Sequence, residues 1–265
     1  MKICMAGAQG RMGLRILELA EAADDLEIGG AFDLPGSAGT NLTIGGDSGG
    51  TRVIALAANA AEAIAGCDAL IDFTLAHACI GNVRAAAEAG RPSVVGTTGL
   101  SAEQQAELAE LAGPAPIVFA PNMSVGVNLL FKLTSEVASI LGLDYNIEIT
   151  EIHHNLKKDA PSGTAVRLAE RAAEARGLDY DKNVAHGREG LVGERPRAEI
   201  GMHTLRGGDV VGEHTVSFVG QGERLELTHR AHNRDNFARG ALLAVRWAAQ
   251  AKPGLYDMQD VLGLK

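Results

Sequence analysis

Residues 151 to 164 read EIHHNLKKDAPSGT and gather two adjacent histidines, two adjacent lysines, an aspartate and a Pro-Ser-Gly-Thr turn in a chain of net charge −9. An imidazole can give or take a proton near neutral pH, and an ammonium group attracts an anion and can also act as an acid. A helix beginning near Gly163 and Thr164 adds amide donors suited to a carboxylate. The combination points to an anionic small molecule, with a solvated charged loop as the alternative. Neighbours on a strand face opposite sides, so His153 and His154 converge on one ligand only where the strand has ended or bent. Lys158 and Asp159 read as structural or solvated. His203, His214, His229 and His232 fall in or near strand segments, where cross-strand packing or interface contacts are expected.

A second set of residues has nucleotide chemistry. Gly7, Gly10 and Gly13 give GxxGxxG, a variant of the dinucleotide fingerprint: one glycine for the tight turn, one for the approach of backbone N–H groups to a pyrophosphate, one for helix packing on sheet. Asp33 lies twenty residues after Gly13, where a carboxylate can accept hydrogen bonds from a ribose diol. Leu34 stands where an Arg would be expected for a 2′-phosphate, so NADH is expected to serve at least as well as NADPH; Arg11 is the nearby cation that could favour NADPH. Two loops after strand ends, Gly96 to Gly99 (GTTG) and Ala120 to Ser124 (APNMS), are placed to line a nicotinamide.

These residues need a scaffold, and the hydrophobic pattern supplies one. Residues 2–6 form a short apolar run, Met12, Ile16, Leu17 and Ala20 recur at helical spacing, and residues 26–32 make a second strand. Strand, glycine turn, helix and strand within about thirty residues is one βαβ unit. Further apolar runs at 69–73, 93–95 and 117–120, each followed by a helical stretch, predict a parallel sheet. Ser101 with Gln104 predicts a capping box. Residues 36–50, with six glycines, read as a long mobile loop.

A domain boundary is expected near residue 124. Beyond it come an apolar helix over 125–141, an apolar run over 145–152 and three alternating segments, 198–206, 209–220 and 223–231, that predict an antiparallel meander. Helices return from about residue 235. The fold class is α/β: a Rossmann-type dinucleotide-binding domain over 1–124, to which residues 234–265 return, plus a second α+β domain over 125–233 with a mainly antiparallel open sheet.

Composition bounds the partners. The chain has 265 residues, 33 of them Gly, 46% hydrophobic but only 4% aromatic, which suits a tightly turned α/β protein. Net charge −9 and a pI near 5.4 argue against nucleic-acid or anionic-membrane partners. Cys4, Cys67 and Cys79 form no CxxC pair and no zinc-ligand spacing, so no metal is expected and reduced core thiols in a cytoplasmic protein are.

With GAQGRMG at 7–13, IDFT at 71–74, GTTG at 96–99, APNMSVGVN at 120–128, EIHHNLKKDAPSGTA at 151–165, GEHT at 212–215 and the closing YDMQDVLGL, the chain resembles the dihydrodipicolinate reductase family over nearly its whole length. The resemblance implies reduction of a cyclic 4-hydroxy dicarboxylate with NADH or NADPH, with release of water, on the diaminopimelate route to lysine, by a homotetramer associating through the second domain's sheet. Carried over residue by residue, it implies His153 as proton donor or acceptor and Lys157 as proton donor, with His154, Gly163 and Thr164 binding substrate. It implies cofactor contacts from Gly7, Ala8, Gln9, Gly10, Arg11, Met12, Asp33, Gly96, Thr97, Thr98, Ala120, Pro121, Asn122 and Met123. Leu34, Pro121 and Met123 depart from the family's usual pattern. The rival readings are another nicotinamide-dependent reductase acting on an amino-acid semialdehyde or imino acid, and a non-catalytic NAD(H)-sensing protein. The first would bring a catalytic cysteine or a distinct substrate loop, and the second has little use for HHxxK beside a helix start.

Overall fold

Strand β1 (Lys2–Ala6) sends Ile3 and Met5 into one buried layer and Cys4 and Ala6 into another, as expected of a strand covered on both faces. The computed structural model describes residues 1–45 and 51–265. They divide into two units, Met1–Val125 with Arg234–Lys265, and Gly126–Asn233. After β1 come α1 (Arg11–Glu21), β2 (Glu27–Phe32), β3 (Asn41–Gly45), β4 (Thr51–Ala55), α2 (Ala60–Ile64), β5 (Ala69–Asp72), α3 (Ala76–Glu88), β6 (Ser93–Val95), α4 (Ala102–Leu111) and β7 (Pro116–Phe119). α5 (Val125–Leu141) leads into β8 (Asn146–His153), α6 (Gly163–Ala175), α7 (Tyr180–Asn183), β9 (Val184–His186), β10 (Ile200–Arg206), β11 (Gly212–Val219) and β12 (Arg224–Ala231). α8 (Asp235–Ala248), β13 (Gly254–Tyr256) and α9 (Met258–Val261) close the chain in the first unit.

The first unit is a parallel sheet in the order β13-β7-β6-β5-β1-β2. Ile16 and Leu17 of α1 and Ala241 and Val245 of α8 cover one face; Ile64 of α2 and Ala86 of α3 help to cover the other. The chain runs from β1 outward to β2, then returns to place β5 on the opposite side of β1. That reversal makes a crevice outside the carboxyl ends of the strands, the usual ligand position in open α/β sheets. Ser101 and Gln104 form the expected capping box at α4.

The glycine-rich stretch differs from the expected mobile loop. Pro35–Ser37 is a 3-10 turn, and residues 41–45 pair antiparallel with 51–55, Asn41 opposite Ala55 and Gly45 opposite Thr51. Ile44 and Ile54 enter the core, so two buried isoleucines anchor an antiparallel strand pair that glycine content had masked. Residues 46–50 of the expected loop lie outside the described residues.

In the second unit the sheet order is β12-β11-β8-β10-β9. Most of its residue pairing is antiparallel, between β12 and β11 and between β11 and β8, while β10 runs parallel to β8 and β9. The expected three-strand meander is therefore corrected: β11 and β12 form a hairpin, but β10 and β11 flank β8 rather than each other. The segment carrying α6 is the crossover that parallel pairing requires. By length and composition, Val125–Asp144 could cross a membrane. Its Val127, Leu130, Phe131 and Ala138 instead pack with Ile147, Ile149 and Leu168 in this unit's core.

Candidate active site

The glycine turn is shaped by two close approaches. Gly7 has φ +80°, and a side chain there would strike the Phe73 carbonyl; a side chain at Gly13 would strike the Gly7 carbonyl. Glycine alone lets α1 start this close to the end of β1. The Phe32 carbonyl receives the Gly7 and Ala8 N–H groups. At the end of β2, Asp33 accepts the Gln9 N–H at 2.7 Å and the Leu34 N–H at 2.8 Å, joining the carboxylate to the glycine turn. Gly10 is the N-cap of α1 and supplies no side-chain cap, so the helix start is open to an anion.

A cavity of about 500 Å³ opens there, lined by Gly7, Gly10, Asp33, Asn59, Phe73 and Thr74 among others. The chemistry of its wall suits a dinucleotide: a carboxylate for a ribose diol, close backbone approach for a pyrophosphate, apolar surface for a base. The other expected cofactor residues divide by position. Gln9, Arg11, Thr98 and Pro121 are exposed, and Met12, Gly96 and Asn122 are half-buried. Ala8, Ala120 and Met123 put their side chains into the core, which leaves their backbone groups for contact.

Thr97 is buried and occupied by a neighbour that the sequence reading had not singled out. The fully buried Asp72 at the end of β5 accepts Thr97 Oγ1 at 2.6 Å, Thr74 Oγ1 at 2.7 Å and Asn82 Nδ2 at 2.8 Å. Thr97 Oγ1 in turn accepts the Thr74 N–H at 2.8 Å. Asp72 thus fastens the turn after β5 to the GTTG turn after β6. Phe73 lies so close to Gly96 that a side chain at 96 would collide with its ring. A charged residue closing an otherwise apolar strand, as in IDFT, was the available signal for Asp72.

In the second unit, β8 ends at His153, and the chain leaves the regular ladder there. The His154 N–H donates to the Val210 carbonyl at 2.7 Å, the Gly207 N–H to the His153 carbonyl at 2.9 Å, and the Lys157 N–H to the His154 carbonyl at 3.1 Å. His153 shares a strand face with Glu151, and its Nδ1 lies 2.5 Å from Glu151 Oε2. Glu151 is 0% exposed. Its Oε1 accepts the Ser162 N–H at 3.0 Å, and Arg206 Nη1 and Nη2 reach its two oxygens at 2.8 and 3.0 Å. Burial alone would raise this carboxyl, but hydrogen bonds from His153, Arg206 and Ser162 outweigh it and hold the pKa at about 2.

Lys157 Nζ donates to both oxygens of Asp159 at 2.8 Å, so Asp159 is the lysine's direct partner, not a merely solvated residue. Ser162 caps α6, accepting the Ala165 N–H at 3.2 Å, and Gly163 and Thr164 are its first helical residues. His154 Nδ1 is buried without a hydrogen-bond partner among the described residues. His214, expected in packing or interface contacts, joins this cluster: its Nε2 is 3.0 Å from Ser162 Oγ, and its ring stands edge-on to His153 at 5.2 Å. Burial, with His153 nearby, pushes His214 down to about 3. His203 belongs to a separate group, 2.6 Å from Glu148. Glu151 was legible from strand period, two residues before His153; Arg206 and His214 required the strand order.

Comparison with known proteins identifies the family. Residues 1–123 match the family model described as dihydrodipicolinate reductase, N-terminus, and residues 126–262 the one described as dihydrodipicolinate reductase, C-terminus. The 4-hydroxy-tetrahydrodipicolinate reductase of Citrifermentans bemidjiense is 51% identical over 265 residues, covering 100% of this chain and 99% of that protein. The protein of the same name from Anaeromyxobacter dehalogenans is 49% identical, covering 100% and 98%. Among solved structures, a dipicolinate-bound dihydrodipicolinate reductase from Paenisporosarcina sp. TG-14 superposes with a TM-score of 0.78 over 98% of each chain, at 23% identity. That likeness supports the fold.

Glu151 has a folded pKa of about 2 against an ordinary 4.5, so its stabilising share is present above about pH 4.5 and lost as pH falls towards 2. The shift corresponds to something on the order of 3 kcal/mol. Urea unfolding followed from pH 5 to pH 2 is expected to show this loss in the wild type and a shallower one in Glu151→Gln. Parallel pH profiles for the two proteins would contradict the assignment.

Proposed function

The chain belongs to the dihydrodipicolinate reductase family, and from that premise we propose that it reduces (2S,4S)-4-hydroxy-2,3,4,5-tetrahydrodipicolinate to tetrahydrodipicolinate, with loss of water, in the diaminopimelate route of lysine biosynthesis. The observation that carries the chemistry is the placement of His153, Lys157 and the start of α6 on one continuous segment at the end of β8. His153 and Lys157 are the catalytic residues in this reading; His154, Gly163 and Thr164 bind the dicarboxylate. The Lys157 ammonium, held by Asp159 here, is the cation for which a substrate carboxylate competes, and the first amides of α6 receive a carboxylate.

When bound, the reduced nicotinamide supplies the hydride. Gly7 to Met12 and Asp33 would hold the dinucleotide, with the turns at Gly96 to Thr98 and Ala120 to Met123 beside its nicotinamide. Loss of the hydroxyl as water leaves a ring conjugated with the imine nitrogen, and hydride addition makes that conjugated system take up one proton. A His or Lys at the strand end is suited to provide it. The rival of a non-catalytic NAD(H) sensor leaves the pairing of His153 with the buried Glu151 without use. The three cysteines are buried and unbridged, which supports a cytoplasmic setting.

The decisive experiment follows cofactor oxidation while the preceding synthase makes the substrate in place. His153→Gln and Lys157→Ala are each expected to lower kcat by roughly 100-fold or more; wild-type turnover in both would remove the catalytic assignment.

Cofactor choice follows from Asp33 and the 63% exposed Leu34 beside it. A carboxylate favours a ribose diol and repels a 2′-phosphate, and Leu34 brings no compensating charge. In the same assay kcat/KM for NADH should equal or exceed that for NADPH, and a strong NADPH preference, with Arg11 as the responsible cation, would reverse this.

We also infer a homotetramer built through the second unit's sheet. Its face opposite α6 carries Thr150, Thr215, Ser217 and Thr228, which are half-buried or exposed. Light scattering on the full chain should give four times 27.6 kDa, and a monomer at micromolar concentration would argue against the assembly.

A further inference from the structure

We infer that Glu151 is the positioning residue of the reaction: it fixes which nitrogen of His153 carries the exchangeable proton. The inference rests on the reading of His153 as a proton carrier. A carboxylate held at about 2 is an acceptor only, so the 2.5 Å contact to Nδ1 requires the hydrogen to sit on Nδ1. Arg206 and the Ser162 N–H occupy the remaining acceptor positions of Glu151, which prevents the carboxylate from turning away.

A second feature makes room for the opposite nitrogen. Gly212, the first residue of β11, lies so that a Cβ built on it would stand 2.9 Å from His153 Nε2. Nε2 therefore faces the one position on that strand end without a side chain. His214, tethered through Ser162 Oγ to the cap of α6, braces the ring edge-on at 5.2 Å and 73°. Glu151 fixes the tautomer, His214 limits the tilt of the ring, and Gly212 supplies the room that the Nε2 edge occupies. The proton moves from Nε2 to the reduced ring, and a proton from water restores it. Throughout, Nδ1–H stays on Glu151, as the orienting carboxylate does in a Ser-His-Asp triad.

Nitrogen-15 NMR of histidine-labelled wild-type protein, with His153 assigned by its absence in His153→Gln, reads the tautomer without perturbing the site. At a pH where the ring is neutral, the hydrogen is expected on Nδ1; a neutral ring protonated on Nε2 overturns the inference. Glu151→Ala should populate both tautomers and lower kcat by about 10-fold or more with substrate KM little changed. Glu151→Asp should recover part of the loss, and Glu151→Ala should add nothing once His153 is Gln. Unchanged kcat in Glu151→Ala, with His153→Gln impaired, rejects the positioning role alone. Wild-type turnover in His153→Gln instead rejects the proton-carrier reading and the inference with it.

Discussion

A single buried carboxylate holds the second unit's chemistry in place. Glu151 sits in the central strand β8, takes Arg206 from β10 on one side, faces His214 of β11 on the other, and receives the Ser162 N–H at the start of α6. An isolated charge in such a position would be strongly unfavourable, and removing one partner from a buried pair is more damaging than never having had it. The carboxylate therefore makes three strands and a helix start mutually dependent. His153 is oriented by the same atom that Arg206 neutralises, so the shape of the strand end and the orientation of its histidine are one property.

The first unit solves a similar problem with neutral donors. Asp72 closes β5 and is surrounded by the hydroxyls of Thr74 and Thr97 and the amide of Asn82. Those bonds shape the turns after β5 and β6 at the carboxyl edge of the sheet, next to the reversal of strand order between β1 and β5. Asp33 shapes the turn after β1 by taking the Gln9 N–H. In each unit a carboxylate at a strand end fixes loop backbone, so the surface offered to a ligand is set before the ligand arrives.

Some of this was legible in the sequence because it depends on neighbours within a few residues. The glycine spacing in GAQGRMG, Asp33 twenty residues on, the Ser101–Gln104 cap and the alternation of strand and helix up to residue 120 all reflect local period and turn chemistry. The pairing of 41–45 with 51–55 was missed because glycine content suggested a loop while Ile44 and Ile54 supplied the anchoring burial. The second sheet was misread as a meander because alternation shows that a segment is a strand without showing which strand it pairs with.

By itself the sequence determined the family, the α/β class and the segment bearing His153 and Lys157, since these reside in residue types and short spacings. Only the tertiary structure decided the partners, Arg206 on Glu151, His214 against His153 and Thr97 on Asp72, and the burial of Met123 in the core. The pairs are separated by 55, 61 and 25 positions in the chain. No local pattern encodes such a contact; strand order and burial create it, and burial makes each polar pairing obligatory.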